Sequence, residues 1–125
     1  MSIEEKVKVE EKVKVSPEEL FNEVLLELYD RDKVRFHVNL RKWHKAFYEA
    51  KLKYPEIMES FGTIIYTNPY IHEITECFHE FAQAKHLSSI IPDGDYLINN
   101  PEVMRKNYPL NSQVQEVAKY ICDRI

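Results

Sequence analysis

The chain has 125 residues, 44% hydrophobic and 30% charged, with a formal net charge of −4, the length and balance of one globular domain able to bury roughly two thirds of its unfolded surface. Only two glycines, Gly62 and Gly94, are present, which argues against glycine-rich phosphate loops and dinucleotide fingerprints. Two cysteines, Cys77 and Cys122, read as reduced core thiols rather than a disulfide or a metal pair, and with no apolar run of membrane-spanning length and no signal-peptide start we expect a cytoplasmic protein without membrane contact.

Residues 4–15 are a hexapeptide, Glu-Glu-Lys-Val-Lys-Val, written twice. Val7, Val9, Val13 and Val15 share one parity, which is strand spacing. The sequence therefore divides into a charged N-terminal arm or edge strand, 1–15, and a single helical domain, 16–125. Such an arm can add to a partner or to a second copy of the chain.

Ser16-Pro17-Glu18-Glu19 is a helix start, with Ser16 as cap and Pro17 at the first helical position. The helix is expected to run to about Tyr29 on a stripe of Leu20, Phe21, Val24, Leu25 and Leu28. Residues 33–38 alternate and predict a short strand. Asn39 caps a second helix, 40–54, whose apolar face holds Leu40, Trp43, Phe47 and Ala50. A short helical stretch follows at 55–61, and 63–67 predict a buried strand. Asn68-Pro69 predicts the start of a third helix, 69–86, with Ile71, Ile74, Phe78, Phe81 and Ala82 facing inward. Pro92-Asp93-Gly94-Asp95 between Ile90-Ile91 and Tyr96-Leu97-Ile98 predicts a hairpin, because Pro presets one turn dihedral and Gly supplies a positive one. Asn100-Pro101 starts a short helix to about Tyr108. Asn111-Ser112 caps the last one, with Val114, Val117, Ala118, Ile121 and Ile125 on its buried side. The expected fold is mainly α (α+β): about five helices with a small β-hairpin.

Residues 69–98 resemble the end of a winged-helix domain. There a helix such as Phe78-His79-Glu80-Phe81-Ala82-Gln83-Ala84-Lys85-His86-Leu87 leads straight into a hairpin such as Ile90-Ile91-Pro92-Asp93-Gly94-Asp95-Tyr96-Leu97-Ile98. The resemblance implies a regulatory domain whose helix before the hairpin enters the major groove of DNA. In this chain that helix carries Glu73, Glu76 and Glu80 against Lys85 alone, so phosphates would repel it. Either nucleic acid meets the domain elsewhere, or the fold serves protein contact.

Charge is the strongest functional signal. Residues 31–53 hold eight bases against Asp32 and Glu49, while residues 16–30 hold five acids and no base. A dipolar surface of this kind suits a polyanionic partner met in one orientation. The expected binding residues are Arg31, Lys33, Arg35, Arg41, Lys42, Lys45 and Lys53, and the expected function is a non-enzymatic regulatory module docking nucleic acid. The alternative is a protein-interaction adaptor or antitoxin-like partner that meets an acidic protein. A metal-binding helical protein comes third, on the heptad-spaced His72, His79 and His86; Glu76-x-x-His79 has a di-iron spacing but no second copy. No catalytic residue, cofactor or metal ligand set is expected. A homodimer through the arm or the last helix is allowed.

Overall fold

Capping decides where the main helices begin. The computed structural model describes residues 15–65, 68–90 and 94–125, with the side chains of Ile64 and Ile65 left aside. Helix α1 (Pro17–Asp30) starts where the Ser16 hydroxyl accepts a hydrogen bond from the Glu19 amide at 3.1 Å. Strand β1 (Arg35–His37) precedes helix α2 (Leu40–Lys53), whose cap is the Asn39 side chain accepting from the Lys42 amide at 3.2 Å. Each cap satisfies an amide that the first helical turn leaves without a partner.

After α2, residues 55–60 form hydrogen-bonded turns instead of the expected short helix. Strands β2 (Ile64–Ile65) and β3 (Pro69–Tyr70) then pair antiparallel. Helix α3 (His72–Gln83) begins three residues later and ends three earlier than the expected 69–86. Pro69 and Tyr70 are drawn into the strand pair, and the Ile71 amide donates to Nδ1 of His44 at 3.0 Å; these tertiary partners outcompete the local Asn-Pro start signal.

At its other end α3 is closed by Lys85 in the left-handed region, φ 68°. His86 consequently leaves the helical stripe and packs its ring 5.9 Å from that of Phe81. Strands β4 (Leu87–Ile90) and β5 (Asp95–Ile98) form the expected hairpin, with β4 beginning earlier than the apolar run suggested. Helices α4 (Pro101–Asn107) and α5 (Ser112–Cys122) complete the chain, the latter capped by Asn111, which accepts from two amides.

The described residues thus form five helices, a three-stranded antiparallel sheet of order β1-β5-β4 and a two-stranded pair, a mainly α (α+β) fold. No described helix is long and apolar enough to cross a membrane. The N-terminal arm lies outside the described residues except for Val15, whose amide donates to Ile57 and whose carbonyl accepts from Ser60.

One aromatic core ties the layers together. Phe21 of α1 meets the rings of Trp43, Phe78 and Phe81 at 5.9, 4.9 and 5.0 Å. Phe36 and Tyr96 from the sheet stack on one another, and Phe36 stacks on Trp43. The apolar face of α5, with Val114, Val117, Ala118 and Ile121 fully buried, packs on α1. That face is therefore engaged within the chain and is not left open for self-pairing.

Candidate basic docking site

Arg41, Lys42 and Lys45 occupy the first two turns of α2. Their spacing of three and four residues puts them on one side of the helix, and all three are exposed. Among the described residues none of their side chains has an ion pair or a hydrogen bond. The position is electrostatically unusual. The first turn of α2 holds no acid, and cations there oppose the positive end of the helix macrodipole. The three exposed cations therefore stand beside a helix N-terminus with no acid in the first turn to offset them.

The other expected binding residues are placed differently. Arg31 reaches Glu27 at 2.9 Å and Asp123 at 2.9 Å, joining the ends of α1 and α5. Lys33 is exposed in the turn after α1, close enough to Cys122 for its charge to be felt there. Arg35 binds Oδ2 of Asp95 through Nε at 2.8 Å, while His37 holds Oδ1 through Nδ1 at 2.9 Å. Those two partners hold the Asp95 carboxyl below the usual carboxylate range. Lys53 sits 4.9 Å from the centre of the Tyr120 ring, which the Arg124 guanidinium also covers at 3.6 Å, a cation–π arrangement that fixes the end of α2 against α5. Lys51 donates to the Phe61 carbonyl. The basic run of the sequence is therefore split: Arg31, Arg35, Lys51 and Lys53 cross-link the fold, and Arg41, Lys42 and Lys45 form the compact free group.

Beside that group runs a shallow groove of about 290 Å³, lined by Leu40, Thr75, Phe78, His79, Ala82 and Tyr96. Leu40 was expected on the core face of α2 and Ala82 on that of α3; both are exposed and help form the groove. The sequence offered one clue to it: Leu40 stands at the helix start, before the apolar stripe has a facing element to cover it.

The histidine stripe of α3 is dispersed. His72 pairs with Glu76 at 3.3 Å, His79 lines the groove and His86 lies in the following turn. Among the described residues, the donor atoms that do converge are Oε of Glu18, Sγ of Cys77 and Oε of Glu80, all within 4.8 Å of one another. Sequence reading missed this trio because Glu18 comes from a different helix; the spacing Cys77-x-x-Glu80 was its only local signal.

Comparison with protein-family models, with curated proteins and with solved structures finds no match to this chain.

Proposed function

We propose that the domain is a non-enzymatic regulatory module that docks nucleic acid through Arg41, Lys42 and Lys45. The observation that carries this reading is the contrast within the basic run: these three cations are exposed and unpaired among the described residues, while Arg31, Arg35 and Lys53 have intramolecular partners. Phosphate contacts need charge of this kind and no particular sequence.

The order α1-β1-α2-β2-β3-α3-β4-β5, with β1 paired to the second hairpin strand, supports a winged-helix-like arrangement in which the β2-β3 pair is an addition between α2 and α3. In it α3 would hold the place of the groove-reading helix. Its exposed Glu76 and Glu80 disfavour phosphates, so the nucleic acid meets α2 instead.

Fluorescence anisotropy with mixed-sequence duplex DNA and with single-stranded RNA tests the proposal. Three phosphates neutralised on a duplex give a slope of log K against log salt near about −2.7. Binding should fall steeply with salt and vanish in the Arg41→Glu, Lys42→Glu, Lys45→Glu variant. Binding that survives the triple reversal, or none at low salt, rejects the site.

A second reading rests on the groove. An apolar centre at Leu40, Phe78 and Tyr96 with charge alongside has the anatomy of a protein interface. An adaptor would ignore nucleic acid and lose an acidic protein partner on Leu40→Asp.

A further inference from the structure

The two cysteines have the same side chain and different surroundings. Cys122, 3% exposed, donates its thiol to the Val24 carbonyl at 3.4 Å and lies in a mixed field, with Arg31 and Lys33 set against Glu27 and Asp123. Cys77, 1% exposed, has no hydrogen-bond partner among the described residues; burial, and after it the charges of Glu18, Glu80, Glu76 and Glu73, favour its neutral thiol in the absence of a cation. The pKa of the Tyr108 phenol is raised by burial and then by Glu18, Glu19, Cys77 and Glu80. Of the carboxylates around Cys77, Glu76 pairs with His72, and Glu73 accepts a hydrogen bond from the Gly62 amide. Glu18 and Glu80 have no such partner among the described residues, and theirs are the oxygens that converge on the thiol.

We propose that Glu18, Cys77 and Glu80 form a binding site for a thiophilic divalent cation of the zinc type, with water completing the coordination. The elements build the site. Cys77 and Glu80 lie three apart on α3 and so share one face, and the first turn of α1 brings Glu18 against it. One sulfur and two carboxylate oxygens are accepted zinc donors, and a tetrahedral ion with arms of about 2.0–2.3 Å needs donor atoms roughly 3.5 Å apart. The donors lie within 4.8 Å, and rotation of the two Glu side chains, which reach solvent, closes the difference. Binding expels the thiol proton to solvent, leaving a thiolate and two carboxylates around the dication. Affinity therefore rises with pH. The buried thiol supplies the selectivity: magnesium and calcium prefer oxygen ligands alone.

Cobalt(II) titration of the chelator-treated full chain tests the site. The expected result is one cobalt per chain with a near-ultraviolet thiolate-to-cobalt charge-transfer band, displaced by zinc. The band persists in Cys122→Ser and is absent in Cys77→Ser. Even outer partners of metal ligands are worth about 10–100-fold in affinity, so the surface variant Glu80→Gln should weaken cobalt at least about tenfold with an unchanged circular dichroism spectrum. Absence of the band at saturating cobalt overturns the proposal, as does a band that survives Cys77→Ser. If Cys77→Ser does not fold, Glu80→Gln decides alone, and unchanged affinity in it rejects the site.

Discussion

His44 is a histidine used as a backbone acceptor. Its ring is 6% exposed, takes the Ile71 amide on Nδ1 and stacks 4.8 Å from Tyr70. That bond requires the neutral ring with Nδ1 unprotonated, and burial pushes its pKa below the ordinary value. On acidification the unfolded chain therefore takes up this proton first, near about pH 6.5. The contribution of His44 is complete above that value and is lost as pH falls toward the folded pKa. Urea unfolding at about pH 7.5 and about pH 5.5 should show the midpoint dropping in the wild type. In His44→Leu the Ile71 amide loses its partner, which costs about 1–3 kcal/mol at neutral pH, and this part of the pH response disappears. An identical pH response in the two proteins would contradict the assignment. Gly94 makes a conformational demand at the same scale. Its φ of 75° is left-handed, and a Cβ there would stand 3.4 Å from Cε1 of His37. Gly94→Ala should lower stability by about 1–2 kcal/mol, read as a lower melting temperature; an unchanged melt would mean the turn has no such requirement.

At the scale of elements, α2 carries a conflict between stability and charge. Arg41 and Lys42 stand in its first turn, where acids would be favoured, and Asn39 provides the cap. Replacing either base with Glu should stabilise the protein by about 0.3–1 kcal/mol at low ionic strength, while weakening anion binding. Urea titration of the single variants measures the first effect. A loss of stability in both would show that these bases make unseen contacts and would remove the case for a free anion site. The same element shows what sequence can transmit. Ser16, Asn39 and Asn111 act as caps where local sequence places them, because a cap is satisfied within three residues. The start of α3 was misread because its determinants are distant: β2 across the strand pair and His44 from another helix. His86 fell out of its helix through the left-handed Lys85, which carries no glycine to mark it. The site divides in the same way. The clustering of Arg41, Lys42 and Lys45 follows from helical spacing alone, whereas Asp123, Asp95 and Tyr120, which engage Arg31, Arg35 and Lys53, come from the last third of the chain.

At the scale of the molecule, the core determines whether the layers act as one unit. Trp43 is the single tryptophan and is 2% exposed. Its ring neighbours come from four elements: Phe21 of α1, Phe36 of β1, Phe47 of α2 and Phe78 of α3. No helix can leave this cluster without uncovering the indole, and the sheet is joined to it through Phe36 and through Tyr96, which packs 5.2 Å from Phe78. Loss of indole burial and loss of helix should therefore occur together, as in a two-state unit. Phe21→Ala removes a fully buried ring from the centre and should cost about 3–5 kcal/mol, a large share of the roughly 5–15 kcal/mol that holds a domain folded. Urea curves followed by Trp43 fluorescence and by far-ultraviolet circular dichroism should superimpose in the wild type and shift together in Phe21→Ala. Separate midpoints would show that the sheet end, with the groove beside Leu40, opens independently of the α1–α5 pair. The groove that Leu40 of α2 shares with Thr75, Phe78 and His79 of α3 would then not keep one shape, and the exposed basic turn beside it would lose the rigid support that the docking proposal assumes.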